Sequence, residues 1–150
     1  YGWPQRDEPY QELFQRCMNH PGISYHGSVE NSIVREYLKR AHIFAYPNIW
    51  PETSCISLME AMSASCAIVC PNYCGLPETA GNFANMYQWH EDYNSHANVF
   101  ASLLKVVIDQ YWDEHHKDKL HFTKIWADAF YSWDARTSEW TSLLKALKNG

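Results

Sequence analysis

The spacing between hydrophobic residues changes several times along the chain, from helical to strand-like and back. Near the N-terminus, apolar side chains recur three and four positions apart, which predicts a helix with one buried face. The members of this face are Tyr10, Leu13, Phe14, Cys17 and Met18. Pro21-Gly22 is expected to end this helix. The segment Ile23-Ser24-Tyr25-His26 then predicts a short strand that ends at Gly27.

Two further helix and strand pairs follow. Helical periodicity predicts helices over about 32–40 and 54–65. Short apolar runs over 42–46 and 67–70, each closed by a proline, predict strands, and a weaker strand is expected near 83–87. Strands that alternate with helices pair in parallel through crossover connections. We therefore predict an α/β fold with a Rossmann-like parallel sheet layer.

From Asn94 onward the pattern is helical. Three apolar stripes with helical spacing predict three C-terminal helices. Trp126, Trp133 and Trp140 fall on these stripes, and we expect their large rings to belong to the core. No repeat, low-complexity tract or linker interrupts the chain, so we expect a single domain over 1–150.

Composition narrows the class of protein. Of the 150 residues, 46 % are hydrophobic and 19 % are charged, and the formal net charge is −5. These values are typical of a globular protein and exclude intrinsic disorder. An acidic chain does not favour a nucleic-acid surface, which needs clustered cations. The longest uncharged apolar runs, of about five residues, are too short to span a membrane.

The N-terminal residues and the number of cysteines bear on the cellular location of the protein. The chain begins Tyr1-Gly2-Trp3, without Met and without a signal-peptide pattern. We interpret it as a domain truncated at its N-terminus, from a protein located in the cytoplasm or at the cytoplasmic face of a membrane. Five cysteines, an odd number in a chain that is not small, do not favour a disulfide framework. We expect reduced thiols that pack as small hydrophobic side chains.

Two groups of residues raise the question of a metal site. Cys66, Cys70 and Cys74 are evenly spaced, but this spacing fits neither a zinc pair nor the usual iron–sulfur patterns. The adjacent His115 and His116 point in different directions on a helix, unlike the i, i+4 pair of a zinc helix. We therefore expect no metal and no cofactor.

The stretch 47–60 points most directly to chemistry. In an open parallel sheet, ligands bind beyond the carboxyl ends of the strands, and this stretch begins where the strand over 42–46 ends. It leads into a helix whose first-turn N–H groups, over about 54–57, lack intrahelical acceptors and favour a phosphate. Glu52 precedes the helix, and Glu60 lies nearly two turns inside it. Carboxylates on both sides of a phosphate site fit a nucleotide sugar, which has a sugar, a diphosphate and a ribose in a row.

The same two carboxylates have an ordinary structural explanation. Glu52 would favour the positive end of the helix dipole, and Glu60 would be a solvated residue on the outer face. The spacing of the two residues does not by itself decide between these interpretations.

Several motifs in a fixed order resemble the donor-binding, C-terminal half of family-four GT-B glycosyltransferases (glycosyl transferases group 1). The segments 24–29 and 41–47 are similar to the family's strand-Gly-x-Val segment and to the strand before its first Glu. The resemblance covers about residues 10–148 and is strongest over 42–79. The most specific motifs are Glu52-x7-Glu60-Ala61-Met62, the strand 67–70 and Gly75-Leu76-Pro77-Glu78.

The resemblance implies a role for each matching position. Glu52 is expected beside the transferred sugar as the catalytic carboxylate, and Glu60 at the ribose hydroxyls. Val29, after Gly27, is expected near the nucleobase, and the loop 75–78 is expected to shape the site. The residues expected to present backbone N–H groups to the sugar and diphosphate are Thr53, Ser54, Cys55, Ile56 and Ser57.

The resemblance also implies an activity and partners. The full enzyme would transfer a hexose from a nucleotide-diphosphate sugar to a hydroxyl acceptor, with retention of configuration and without an essential metal. The N-terminal acceptor-binding domain is missing, as are the first strands of the donor domain with their Arg and Lys, so we expect this chain to be inactive alone. The sheet edge exposed by the missing strands leads us to expect a homodimer.

Two other functions stay open. One is a non-catalytic GT-B-like binding or assembly module, because Ser54-Cys55 stand where the family usually has Phe-Gly. The other is a sugar-nucleotide epimerase of the same fold. Analysis of the products formed from sugar nucleotides distinguishes the three.

Overall fold

The computed structural model describes residues 7–149. The chain divides into two compact units, with the boundary between Glu36 and Tyr37. The first unit contains a 3₁₀ turn, Glu8–Tyr10, and the helix α1, Gln11–Asn19. The helix α2, Asn31–Leu38, crosses the boundary. The expectation of one domain over 1–150 stays a prediction.

The second unit alternates strands and helices. Its elements in chain order are β1 Ile43–Ala45, α3 Ile56–Ser63, β2 Ala67–Asn72, α4 Leu76–Ala80, β3 Asn85–Gln88, α5 Tyr93–Gln110, α6 Glu114–Phe130 and α7 Trp133–Asn149. The strands form a parallel sheet in the order β1-β2-β3. The predicted α/β fold, with a Rossmann-like parallel sheet and C-terminal helices, is therefore confirmed, as is the weaker strand after position 83.

The central strand β2 lies in the core. Ala67 and Val69 pack in one buried cluster with Val107 of α5. Ile68 and Cys70 alternate to the opposite face of the sheet and are equally buried. A parallel strand covered on both faces must be apolar at every position, which is the pattern that the run over 67–70 shows.

β2 continues two residues beyond the predicted end at Cys70. β1 pairs with β2 only as far as Ala45 opposite Val69, so Pro71 lies beyond the end of β1. The missing N–H of a proline breaks no ladder hydrogen bond in that position. On its other side, β2 pairs through Pro71 and Asn72 with β3.

The predicted strand over 23–26, in the first unit, is wrong. No strand is present at these described positions, and Ile23 and Tyr25 are 45 % and 43 % exposed. The N–H of Ile23 instead donates to the carbonyl of His20 in a turn. A strand exists only through a ladder with a neighbour, and a run of four residues does not specify that neighbour.

The three C-terminal helices are confirmed, but the expectation for their tryptophans is only partly right. Trp126 is half-buried and packs against Phe83 and Tyr131. Trp133 and Trp140 are 86 % and 62 % exposed, so the expectation that they belong to the core is wrong. Helical spacing shows that residues share a face, not that another element covers it.

Within residues 7–149, no helix is both long and apolar enough to cross a bilayer.

Candidate functional site

The segment that connects β1 to α3 is held by backbone and side-chain hydrogen bonds. The N–H of Tyr46 donates to the carbonyl of Val69 in β2 at 2.8 Å. The buried Asn48 donates from its side-chain amide to the carbonyl of Trp50 at 2.7 Å and accepts from the N–H of Trp50 at 2.8 Å. This loop is therefore held both by a contact to β2 and by hydrogen bonds within the loop itself.

His96 of α5 ties the same loop to the sheet. It is 4 % exposed, and its Nε2 lies 3.0 Å from the hydroxyl of Tyr87 in β3 and 3.4 Å from the carbonyl oxygen of Pro47. Pro47 directly follows Tyr46, so the histidine links α5 and β3 to the first residues of the loop.

Glu52 lies near the end of this loop and is half-buried. The hydroxyl of Tyr46 donates a hydrogen bond to its Oε1. Burial first, and then the carboxylate of Glu52, raise the pKa of Tyr46 well above its usual value, because a phenolate would stand in a low dielectric beside a negative charge. Tyr46 is therefore a neutral donor to Glu52.

Cys55 is the residue immediately before α3 and is 3 % exposed. Burial raises the pKa of the Cys55 thiol, the backbone N–H of Leu58 acts in the opposite direction, and Glu52 raises it further. The thiol is therefore a neutral group beside Glu52 and not a solvent-facing nucleophile.

The helix α3 begins at Ile56, so the predicted start at Ser54 is wrong. Cys55 has extended backbone angles, φ −118° and ψ 97°, which mark the boundary. Thr53 and Ser54 belong to the loop and are exposed. The backbone N–H groups of the first helical turn begin with Ile56 and Ser57, both of which are also exposed.

Glu60 lies just over one turn inside α3, not nearly two turns as the predicted start implied. The later start puts it about 6 Å along the axis from Ile56. Residues three and four positions apart share a helix face, so the half-buried Glu60 shares its face with Ser57 and Ile56, of which Ile56 is 70 % exposed. Leu58 and Met62 form the buried face.

Gly75 packs against the residues that precede α3. Its N–H donates to the carbonyl of Glu52 at 2.8 Å. A Cβ atom at position 75 would lie 2.3 Å from the carbonyl oxygen of Thr53. The segment that leaves the carboxyl end of β2 therefore touches the backbone of the Glu52 loop. The prediction that 75–78 form a loop is wrong for 76–78, because the helix α4 begins at Leu76.

Gly27 and Val29 belong to the first unit. Gly27 has φ +62°, and a Cβ atom there would have nothing within 4 Å. Val29 is 36 % exposed. The strand that was expected to precede them is absent from this described segment, and their place near a nucleobase stays a prediction.

Three residues of the site were not predicted from the sequence. Tyr46 contacts the carboxylate of Glu52, while Asn48 and His96 hold the loop. The position directly after an apolar strand was a weak signal for Tyr46 and Asn48, because that is where ligand-binding loops start. His96 lies far along the chain on another helix, and no motif marks it.

Among residues 7–149, no group of three or more His, Cys, Asp or Glu side chains is arranged to hold a metal ion. His116 lies in the first turn of α6, where burial and then the charge of Lys119 lower its pKa. The five cysteines are free thiols, of which Cys66 and Cys70 are buried and Cys74 is exposed.

A parallel sheet whose first strand leads through a loop and a glutamate into a helix defines an α/β protein. In open sheets of this class, ligands bind beyond the carboxyl ends of the strands. Residues 1–119 match the family model described as Glycosyl transferases group 1. The chain therefore belongs to this family, which confirms the resemblance noted in the sequence. The matched range ends at residue 119, whereas the sequence resemblance extends to about residue 148. Comparisons with curated proteins and with solved structures gave no match.

Proposed function

We propose that this chain is the donor-binding part of an enzyme that transfers a hexose from a nucleotide-diphosphate sugar to a hydroxyl acceptor, with retention of configuration. Membership of the glycosyltransferase family supports sugar transfer in general. The class of donor and the retention of configuration are what we propose in addition. The observation that supports it is the position of Glu52, held by Tyr46 and Gly75 four residues before the start of a helix that carries Glu60 on the same face as the exposed Ile56 and Ser57.

The proposed site accepts the diphosphate at the start of α3. The first N–H groups of a helix lack intrahelical acceptors and lie at the positive end of its dipole, so they favour an anion. Ile56 and Ser57 supply the first of these groups. Thr53, Ser54 and Ser57 are small and exposed, which leaves room for a ligand close to the backbone.

The two carboxylates serve the two ends of the donor. Glu52 lies beside the transferred sugar, where its negative charge stabilises the cationic character that the sugar gains as the diphosphate leaves. Glu60 accepts hydrogen bonds from the ribose hydroxyls, which are stronger for an ionised acceptor than for a neutral one. Cys55 is buried below this surface, so it contributes its backbone and not its thiol.

Further parts of the proposal concern partners and location. Gly27 and Val29 contact the nucleobase, a separate N-terminal domain binds the acceptor, and two copies associate through an exposed sheet edge. The enzyme acts in the cytoplasm, and the chain alone is inactive.

The experiment uses the full-length gene product with UDP-glucose, UDP-N-acetylglucosamine and GDP-mannose as probes. Release of nucleoside diphosphate and formation of a glycosidic product are measured for the parent and for Glu52→Ala and Glu60→Ala. We expect Glu52→Ala to lower kcat by about 100-fold or more, as for loss of an electrostatic stabiliser, and Glu60→Ala to act mainly on the donor KM. Glu114→Ala is the matched control, because Glu114 is an exposed glutamate in the first turn of α6.

The products separate the proposal from the alternatives. A glycosidic product that depends on Glu52 supports the transferase. An altered sugar with no glycosidic product identifies an epimerase. Donor binding without turnover by the full-length protein identifies a non-catalytic module. Full activity of Glu52→Ala contradicts the proposed site.

A further inference from the structure

We propose that Tyr46 is a positioning residue, whose hydroxyl sets the orientation of the Glu52 carboxylate for sugar transfer. This inference rests on the proposed function, because it assigns Tyr46 a task in that reaction. It adds a residue that lies outside the Glu52-x7-Glu60 motif, at the start of the loop that contains Glu52.

Tyr46 is anchored to the sheet, and Glu52 is anchored to the segment that follows β2. The backbone N–H of Tyr46 donates to Val69 of β2 at 2.8 Å, and its ring stacks on Phe44 with centroids 5.3 Å apart. The carbonyl of Glu52 accepts from the N–H of Gly75 at 2.8 Å. The contact between the Tyr46 hydroxyl and Oε1 of Glu52 then fixes the side chain as well as the backbone.

The direction of the hydrogen bond is also determined. Because burial and Glu52 raise the pKa of Tyr46, the phenol keeps its proton over the physiological pH range. It therefore donates to the Glu52 carboxylate at neutral pH. A glutamate side chain has three rotatable bonds, and a carboxylate ordered in advance needs no reorientation when charge develops on the sugar.

The test is Tyr46→Phe in the full-length gene product, assayed with the nucleotide sugar that the parent enzyme uses best among UDP-glucose, UDP-N-acetylglucosamine and GDP-mannose. We expect kcat to fall by about 10- to 100-fold, the loss that misplacement of a catalytic group produces. The donor KM should change by less than about threefold, since ground-state binding is kept. Tyr131→Phe is the matched control, because it deletes a hydroxyl that donates to the carbonyl of Thr79 at 2.7 Å, outside the site.

A double variant separates positioning from a merely structural role. If Tyr46 acts through Glu52, Tyr46→Phe should lower kcat in the parent and have almost no further effect on Glu52→Ala. An equal loss in both backgrounds, or a kcat for Tyr46→Phe equal to that of Tyr131→Phe, would overturn the inference. Full activity of Glu52→Ala would overturn the proposed function instead, so the two failures are distinguishable.

Stability is followed alongside activity. The thermal unfolding midpoint of Tyr46→Phe should match that of Tyr131→Phe, because each variant loses one tyrosine hydrogen bond. If Tyr46→Phe does not fold, the same comparison uses Tyr46→His, which keeps a ring with an N–H donor. That variant should retain more kcat than Tyr46→Ala, and equal kcat for both would overturn the inference.

Discussion

Gly75 and Thr53 approach each other so closely that a Cβ atom on residue 75 would lie 2.3 Å from the Thr53 carbonyl oxygen. The same glycine donates its N–H to the carbonyl of Glu52 at 2.8 Å. Its φ of −76° is accessible to any residue, so close packing and not backbone conformation requires glycine here. The backbone of the segment after β2 therefore packs directly against the backbone of the Glu52 loop, with no space for a side chain at position 75.

The first prediction follows from this contact. Gly75→Ala must displace the backbone of Glu52 and Thr53, and we expect it to lower the free energy of unfolding by about 2 kcal/mol. Gly22→Ala is the control, because the new Cβ would meet only the His20 ring, at 3.3 Å. Urea unfolding of both variants checks the prediction, and equal midpoints would contradict it.

The second prediction concerns Asp128, which links α6 to α3. It accepts hydrogen bonds from Lys124, at 2.8 Å, and from the hydroxyl of Ser63. Burial by itself raises the pKa of Asp128, but the hydrogen bonds from Lys124 and Ser63 and the Lys124 charge outweigh it, so the pKa is lowered. A lowered pKa in the folded state stabilises the protein above the unfolded value of about 3.9, and this contribution is lost as the pH falls through the folded-state pKa.

Asp128→Asn should therefore destabilise the protein at about pH 7 and have a smaller effect at about pH 3. The loss at neutral pH should not exceed about 1 kcal/mol, because solvent screens an ion pair that is nearly half exposed. Asp109→Asn is the control: its i, i+4 pair with Lys105 has the same 2.8 Å length but side-chain exposures of 76 % and 59 %. Unfolding measured at both pH values tests this, and a loss independent of pH would be evidence against it.

The third prediction concerns thiol reactivity. Burial raises the pKa of Cys66 to about 11 and that of Cys70 to about 12, whereas Cys74 is exposed. Because the thiolate is the reactive form, iodoacetamide should label Cys74 of the folded protein well before Cys66 and Cys70. Peptide mass spectrometry measures the order, with Cys74→Ser as control. Rapid labelling of Cys70 without unfolding would disagree with this structure.

The fourth prediction compares two tryptophans on neighbouring helices. Trp126 stacks on Phe130 at 5.0 Å and packs against Phe83, so Trp126→Ala should lower the free energy of unfolding by about 3 kcal/mol. Trp140→Ala should lower it by less than about 1 kcal/mol, because that ring is 62 % exposed. Chemical denaturation compares the variants, and a larger loss at Trp140 would contradict the packing described.

Much of the fold could be predicted from the sequence because the relevant signals are local. The apolar run over 67–70 indicates a strand buried on both faces, and periodic apolar positions indicate the C-terminal helices. The order Glu52-x7-Glu60-Ala61-Met62 indicates the family. The segment 23–26 shows the limit of such signals, since a short segment forms a strand only where a neighbouring strand pairs with it.

What the sequence by itself determined is thus the succession of strands and helices from residue 43 onward, apart from the short helix α4, and the motif that contains the two carboxylates. Only the tertiary structure decided that α3 starts at Ile56, that the hydroxyl of Tyr46 contacts Glu52 and that Trp140 is exposed. These outcomes depend on contacts between separate elements, such as Gly75 against Thr53. The spacing of apolar residues shows which side chains share a face of an element. Which other element packs on that face depends on the packing of the whole unit.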